Sequence, residues 1–148
     1  MTPGPPAQAI VLYDADCGFC RWSLAKLLAW DRRARLRPLA LQSEEGRGLL
    51  GDLGEEARMG SWHLIAADGT RWSGGAAAAP LLRLLPGGRA LARPLEISPA
   101  TADRVYSLVA RNRGGIGRLV SRRALERAGE RIRRHKSVSA TGESCASG

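Results

Sequence analysis

The hydrophobic pattern at the start of the chain changes its period at a pair of cysteines. Residues 8–13, QAIVLY, are rich in the residue types that favour strands and too few for a helix, so they predict a short buried strand. From residue 17 to residue 30 the apolar side chains recur three and four positions apart, the period of a helix packed against a sheet. Asp16 is the predicted N-cap of this helix. Cys17 and Cys20 therefore lie where the strand gives way to the helix.

Further strands and helices follow. The extended stretch at residues 35–41 predicts a second strand, in which Pro38 favours an edge position or a strand end. Residues 62–73 predict a β-hairpin, because the Asp68-Gly69 pair near their centre tolerates the positive φ angles of a two-residue turn. Helices are predicted after Ser43, over residues 78–85, from Ser98 to the glycines at 114 and 115, and over residues 116–134.

The order of these elements indicates an α/β fold. A helix between the first two strands implies that they run parallel with a right-handed crossover, and the hairpin adds an antiparallel pair. The predicted architecture is a thioredoxin-like mixed β-sheet flanked by helices, with a C-terminal helical extension. A hydrophobic content of 44% and a charged content of 25% suit one compact domain.

Composition divides the chain into four predicted segments. Residues 1–8 are expected to form a flexible N-terminus and residues 9–113 the thioredoxin-like domain with the cysteine pair. Residues 114–136 are expected to form a basic helical extension. Residues 137–148 are rich in Ser, Ala and Gly and predict a disordered tail, so the third cysteine, Cys145, is assigned no role.

The net charge of +9 is concentrated near the C-terminus. Residues 1–110 carry 13 basic and 11 acidic side chains, whereas residues 111–136 carry 10 basic and 2 acidic ones. The basic helix bounded by Arg111 and Arg134 is expected to present a solvated face. Contact with nucleic-acid phosphates or an anionic membrane, and contact with an acidic redox partner, are the other interpretations, since arginine-rich helices bind such anions with salt-sensitive affinity.

The sequence also predicts a cellular location. No stretch approaches the roughly 18 apolar residues of a membrane-spanning helix. The first seven residues, MTPGPPA, have neither the basic nor the apolar segment of a secretion signal, so we expect a cytoplasmic protein. Because cytoplasmic thiols are kept reduced, a close pair of cysteines favours catalysis or metal binding over a permanent disulfide.

The position of the cysteines predicts two thiols with different roles. A helix N-terminus favours negative charge, so Cys17 is the expected solvent-facing nucleophile. Cys20 lies one turn later on the apolar side and is the expected buried resolving thiol. Asp14 is a candidate base, a water-positioning group or a turn-forming side chain, and both Asp14 and Asp16 oppose a negative charge on Cys17.

The two residues between the cysteines are expected to face the substrate. Gly18 and Phe19 add no positive charge, which favours a reducing dithiol over a strongly oxidising one. Phe19 is expected at an exposed, substrate-contacting surface, with Gly18 beside it.

Three other interpretations of the cysteine pair stay open. Half of a zinc site would need more ligands, and the chain offers only His63, His135 and Cys145, without a second C-x-x-C motif. A structural disulfide across four residues would remove little entropy from the unfolded chain, and two unreactive core thiols would also fit the apolar helix face. His63 itself is expected to be a strand residue with a local hydrogen bond. No metal or organic cofactor is expected.

The pattern D-x-D-C-G-F-C over residues 14–20, after a short apolar strand, resembles the DCC family of predicted thiol-disulfide oxidoreductases. The segments LALQS at residues 39–43 and DRVYSLVARNR at residues 103–113 extend the resemblance over about residues 9–120. The resemblance implies a thioredoxin-like fold and thiol–disulfide exchange at the two cysteines, with the two aspartates of the pattern as companion acids.

The chain departs from related patterns in two places. Thioredoxins and glutaredoxins place a cis-proline just before the third strand to hold the substrate backbone, whereas residues 58–62 here contain no proline. Many members of the resembling family carry a further cysteine near the end of the domain, and residues 121–129 have none.

The expected activity is that of a protein-disulfide reductase, a thiol–disulfide oxidoreductase. Its substrates would be disulfide-containing proteins or low-molecular-weight disulfides, and a thiol reductant that the sequence does not identify would restore the dithiol. The alternative is a non-catalytic binding module that uses the basic helix to engage an acidic partner, an anionic membrane or nucleic acid. If exchange is the function, deletion of residues 116–148 is expected to leave measurable activity.

Overall fold

A four-stranded mixed β-sheet forms the centre of the fold. The computed structural model describes the backbone of residues 8–144 and the side chains of residues 8–135. The strands are β1 (Ala9–Tyr13), β2 (Leu36–Ala40), β3 (His63–Ile65) and β4 (Arg71–Ser73), in the spatial order β2-β1-β3-β4. β1 pairs with β2 in parallel and with β3 in antiparallel orientation, and β3 pairs with β4 in antiparallel orientation. The predicted parallel pairing of β1 with β2 and the antiparallel hairpin of β3 and β4 are confirmed.

The strands connect to helices on both faces of the sheet. The helices are α1 (Gly18–Trp30), α2 (Glu44–Leu49), α3 (Glu55–Met59), α4 (Ala78–Leu84), α5 (Arg89–Ile97), α6 (Pro99–Leu119) and α7 (Arg122–Ser144), and a short 3₁₀ turn at Gly74–Ala77 precedes α4. This arrangement is the predicted α/β thioredoxin-like fold with C-terminal helices. None of the described helices is both long and apolar enough to cross a membrane.

Alternation along β1 divides the core into two layers, because successive side chains of a strand point to opposite faces. Val11 and Tyr13 pack on one face with buried side chains of α1, α4 and α7. Leu12 packs on the other face with Leu41 and Leu50. The prediction for Pro38 is also confirmed, since it lies on the edge strand β2 opposite Val11.

Two local predictions are wrong. The hairpin turn has three residues, 67–69, because Ala66 and Thr70 close the loop by a hydrogen bond from Ala66 N to Thr70 O at 2.8 Å. Gly69 adopts a φ of +88°, as expected for the glycine of a three-residue hairpin loop. The helix that was predicted to end at residues 114 and 115 continues to Leu119 as α6.

The predicted basic helix between Arg111 and Arg134 is two helices, the end of α6 and α7, with a break at residues 120 and 121. The arginines of α7 form the expected solvated face, and the opposite side of α7 packs against the domain. α7 lies along α1, and Ala128 and Ile132 on its inner side are buried. His135 binds the carbonyl oxygen of Leu36 through Nε2 at 2.8 Å, and the same nitrogen lies 3.6 Å from Oδ2 of the buried Asp31. Deletion of residues 116–148 would remove these buried groups, so the structure gives a physical reason to expect loss of activity through unfolding.

The predicted segment boundaries fall within continuous helices. The boundary between residues 113 and 114 lies inside α6. The α7 backbone is helical through residues 137–144, part of the predicted disordered tail. Cys145 and the rest of that tail lie outside the described residues, as do residues 1–7 of the predicted flexible N-terminus.

Candidate active site

A tight turn after β1 places the two cysteines. Oδ1 of Asp14 accepts the backbone N–H of Asp16 at 3.0 Å, and the carbonyl oxygen of Asp14 accepts the N–H of Cys17 at 3.3 Å. The predicted turn-forming side chain is therefore Asp14. The turn moves the helix start by one residue, so Cys17, not the predicted Asp16, is the N-cap of α1. Its Sγ accepts the N–H of Cys20 at 3.3 Å, as a capping side chain does.

The two free thiols have unequal surroundings. The sulfur of Cys17 lies at the helix N-terminus and receives a backbone N–H, whereas Cys20 lies on the first turn of α1. Burial raises the pKa of Cys20 to about 12, with further contributions from its hydrogen bond to Cys17 and from the charges of Cys17 and Asp14, while Arg113 acts in the opposite direction. At neutral pH the Cys20 thiol is protonated.

Gln42 ties the cysteine turn to the end of β2. Its Nε2 donates to Oδ1 of Asp14 at 2.7 Å and lies 3.4 Å from Oδ2 of Asp16, and its Oε1 accepts the N–H of Ala15 at 3.2 Å. One amide from the loop after β2 thus fixes the carboxylate of Asp14. Residue type alone predicts no role for Gln42, and its place in the segment at residues 39–43 is the available signal.

Gly18 and Phe19 are half-buried, in contrast to the exposed position predicted for Phe19. A Cβ on Gly18 would lie 3.3 Å from a methyl carbon of Leu125 in α7, and one on Gly117 of α6 would lie 3.5 Å from Cβ of Phe19. The C-terminal helices therefore cover one side of the C-x-x-C motif. The Phe19 ring lies 6.2 Å from that of Trp22 and also lines a cavity.

That cavity, of about 260 Å³, opens beside Cys20 and is lined mainly by apolar side chains. α1 contributes one wall, the chain before β3 contributes Met59, Ser61 and Trp62, and α6 closes the remaining side. No cis peptide bond occurs in the described chain. The segment before β3, which lacks the proline of thioredoxins, contributes one wall of the cavity. Sequence analysis did not predict the cavity, because its walls come together only in the folded chain.

One face of α6 lines the cavity. Tyr106, Val109, Ala110 and Arg113 contribute this wall, and their spacing places them on one side of a helix. Burial raises the pKa of the Tyr106 phenol, although the backbone of Trp62 and the charge of Arg113 act in the opposite direction.

A glycine allows α6 to approach the sheet at this point. Gly74 adopts a φ of +59°, and a Cβ there would lie 3.1 Å from Cε1 of Tyr106. A larger residue would therefore be strained in its backbone and would press on the Tyr106 ring.

The histidines lie apart from the cysteines. His63 is a buried strand residue whose Nδ1 lies 2.6 Å from Oγ of Ser73 and whose Nε2 lies 2.9 Å from the carbonyl oxygen of Arg58, so the predicted local hydrogen bonding is confirmed. Burial is the main reason why its pKa is lowered. Within the described residues no group of three or more His, Cys, Asp and Glu side chains is arranged to hold a metal ion.

Comparison with known proteins places this site in a family. The model of the DCC1-like thiol-disulfide oxidoreductases matches residues 11–119, from β1 to the end of α6. No curated protein and no solved structure matches the chain. The matched range holds the cysteine turn, Gln42 and the α6 wall of the cavity, and it covers well over half of the chain. The protein therefore belongs to the DCC1-like thiol-disulfide oxidoreductase family.

Proposed function

We propose that the protein reduces disulfides of proteins or of low-molecular-weight compounds, with Cys17 as nucleophile and Cys20 as resolving thiol. The observation that carries the proposal is the inequality of the two thiols. The Cys17 sulfur accepts a backbone N–H at the start of α1, where negative charge is favoured, while the pKa of Cys20 is raised to about 12. In the proposed exchange the sulfur at the start of the helix attacks first, and the second thiol stays protonated until the resolving step.

In the first step the Cys17 thiolate attacks one sulfur of the substrate disulfide. A bond forms between Cys17 Sγ and that sulfur, the substrate S–S bond breaks, and the leaving thiolate takes up a proton from water. The N–H of Cys20 stabilises the attacking sulfur before it reacts. Gly18 and Phe19 lie next to this sulfur in the chain and are the proposed contacts for the substrate.

In the second step Cys20 must lose its proton. Asp14 lines the same cavity as Cys20, and we assign it as the proton acceptor, directly or through one water. The Cys20 thiolate attacks Cys17 Sγ, the bond from Cys17 to the substrate breaks, and the second substrate thiol leaves. The substrate has gained two electrons, the protein holds a Cys17–Cys20 disulfide, and a thiol reductant restores the dithiol. Asp16 is the second companion acid, and its proposed role is to help Gln42 hold the turn.

The first experiment equilibrates the Cys145→Ser protein in glutathione buffers of graded redox poise and counts free thiols by maleimide mass shift. We expect a cooperative two-thiol transition between about −270 and −120 mV, nearer the lower value. Cys17→Ser should abolish disulfide reduction, and Cys20→Ser should accumulate a mixed disulfide at Cys17. A pair that stays reduced over the whole range would refute the exchange mechanism.

A cytoplasmic location is part of the same proposal, because a reducing compartment supplies the thiol that regenerates the dithiol. Acid-quenched cells, alkylated before lysis, should yield the protein with Cys17 and Cys20 mainly reduced. A predominantly oxidised pair in unstressed cells would contradict this placement.

A second candidate function uses the outer surface of α6 and α7. The exposed side of α6 carries Arg104, Arg111 and Arg118 beside Leu108 and Leu119, and Leu119 is 85% exposed. Basic and apolar side chains on one helix surface favour binding to an acidic partner or an anionic membrane. Retention on vesicles that contain anionic lipid, lost as salt rises, would support a binding module, and equal retention on neutral vesicles would argue against it.

A further inference from the structure

Arg113 stands apart from the other arginines of the C-terminal helices. Arg104, Arg111 and Arg118 are exposed, whereas Arg113 is half-buried and lines the cavity beside Cys20. It lies seven residues after Tyr106, two turns along the same face of α6, so the packing of that face against the cavity directs both side chains toward α1.

We propose that the Arg113 guanidinium is the positioning charge of the resolving step, which stabilises the Cys20 thiolate while that thiolate attacks Cys17. The inference rests on the proposed function and adds a residue to its second step. Arg113 does not exchange electrons or protons: Asp14 receives the proton of Cys20, the S–S bond from Cys17 to the substrate breaks, and the Cys17–Cys20 bond forms. Arg113 lowers the energy of the anion that exists between these events.

The charges around Cys20 explain why the ionisation of its thiol in the resolving step requires stabilisation. Cys17 and Asp14 both act to keep Cys20 protonated, and Arg113 is the group that favours its ionised form. Tyr106 on the same wall is a neutral phenol whose pKa is itself raised. Once Cys17 is bonded to a substrate sulfur it carries no negative charge. In the mixed disulfide the charged groups beside Cys20 are therefore Asp14 and Arg113.

The surroundings of Arg113 leave its charge available for this role. Among the side chains of residues 8–135, no carboxylate lies within ion-pair distance of its guanidinium. A half-buried cation without a carboxylate partner is costly, and an apolar cavity strengthens its interaction with any anion that forms nearby. The anion that the proposed mechanism creates in this cavity is the Cys20 thiolate.

The first test measures Cys20 alone, in full-length protein with Cys17→Ser and Cys145→Ser, which leaves a neutral group at residue 17 as in the mixed disulfide. The rate of alkylation by iodoacetamide, a neutral reagent, is followed at mildly alkaline pH. We expect Arg113→Gln to slow alkylation about tenfold, the effect of one pKa unit on the thiolate fraction. Arg113→Lys should restore most of the rate, and Arg33→Gln, with the same change in net charge at an exposed position after α1, should leave it unchanged.

The sign of the change separates charge from structure. If Arg113 only held α6 in place, its removal would open the cavity and make Cys20 alkylate faster. An unchanged or faster rate in Arg113→Gln overturns the proposal. This measurement does not depend on whether the protein reduces disulfides.

The second test resolves the two chemical steps with dithiodipyridine, a neutral aromatic disulfide, and the reduced Cys145→Ser protein. The first thiopyridone release reports attack by Cys17 and the second reports resolution by Cys20. Arg113→Gln should slow the second release about tenfold and leave the first unchanged. Equal rates of the second thiopyridone release in Arg113→Gln and its parent would overturn the role of Arg113. If the parent showed no first release, the proposed function itself would be refuted.

Discussion

The cysteine turn and the pair of C-terminal helices contribute to the same site in different ways. The turn is built from hydrogen bonds between neighbours in sequence, such as those of Asp14 to Asp16 and to Cys17. α6 and α7 approach it from the far end of the chain, and they bring Leu125 against Gly18 and Arg113 to the cavity beside Cys20. The turn places the Cys17 sulfur at the N-terminus of α1, while the C-terminal helices form part of the surroundings of Cys20. A short motif therefore identifies the chemistry but not the environment in which it proceeds.

The largest effect on stability is expected from a substitution that weakens the packing of the C-terminal helices and leaves the cysteine turn unchanged. Ile132→Ala removes a side chain that is 4% exposed, and we expect it to lower the free energy of unfolding by about 2 to 5 kcal/mol. Urea denaturation measures the effect. Arg131→Ala, at an exposed position of the same helix, is the control and should change little. A loss below about 0.5 kcal/mol for Ile132→Ala, the size typical of a surface substitution, would show that α7 contributes little to the core.

The converse change alters the turn and leaves the helices intact. Asp14→Asn keeps an oxygen that can accept the N–H of Asp16 but removes the proposed base, so resolution should slow about a hundredfold. The second thiopyridone release from dithiodipyridine measures it. Asp16→Asn is the matched control, and its effect should be smaller because Asp16 is exposed. Equal effects of the two changes would refute the assignment of Asp14 as base.

A smaller effect is expected where the turn is tied to β2. Gln42→Ala removes the 2.7 Å hydrogen bond to Asp14 and should lower the free energy of unfolding by about 1 to 2 kcal/mol. Gln42→Glu places a third carboxylate beside Asp14 and Asp16, so its destabilisation should grow as pH rises through the carboxylate range. Denaturation at several pH values checks both results, and a pH-independent effect of Gln42→Glu would contradict the close contact.

A further effect appears only at alkaline pH and depends on both regions. The pKa of Cys20 is raised from its ordinary value of 9.0 to about 12, so the folded protein keeps a proton that the unfolded chain loses. Stability from this group is fully present below about pH 9 and is lost as pH rises through about 12. Cys20→Ala should flatten that decline in urea titrations, and Tyr106→Phe separates the contribution of Tyr106, which has the same sign. Parallel curves for wild type and Cys20→Ala would contradict the burial of this thiol.

The sequence was informative where a structure depends on neighbours along the chain. The strand–helix junction, the parallel pair and the edge position of Pro38 all followed from residue period and type. The N-cap was misplaced by one residue because the side chain of Asp14 turns the chain before α1 begins. That competition between two aspartates cannot be resolved from residue types alone.

Predictions failed where packing between distant segments outweighs local preference. The glycines at 114 and 115 favour a helix end, at a cost of about 1 kcal/mol each inside a helix, yet α6 continues because its flanks pack on α1. The arginines of α7 are exposed as expected, but the buried Ala128 and Ile132 on its other side are too few for composition to predict that this side packs on α1. The cavity wall of α6 was not predicted either, because it meets the other walls of the cavity only in the folded chain.

The packing of α7 on α1 also has a consequence for biosynthesis. Ile132 follows Cys17 by 115 positions, and at 5–20 residues per second the ribosome adds it roughly 6 to 23 s later. During that interval the nascent chain carries both cysteines without the helix that covers Gly18. The thiols should thus be more accessible to oxidants before α7 is translated, and ribosome-arrested chains that lack α7 should be alkylated faster than chains that contain it.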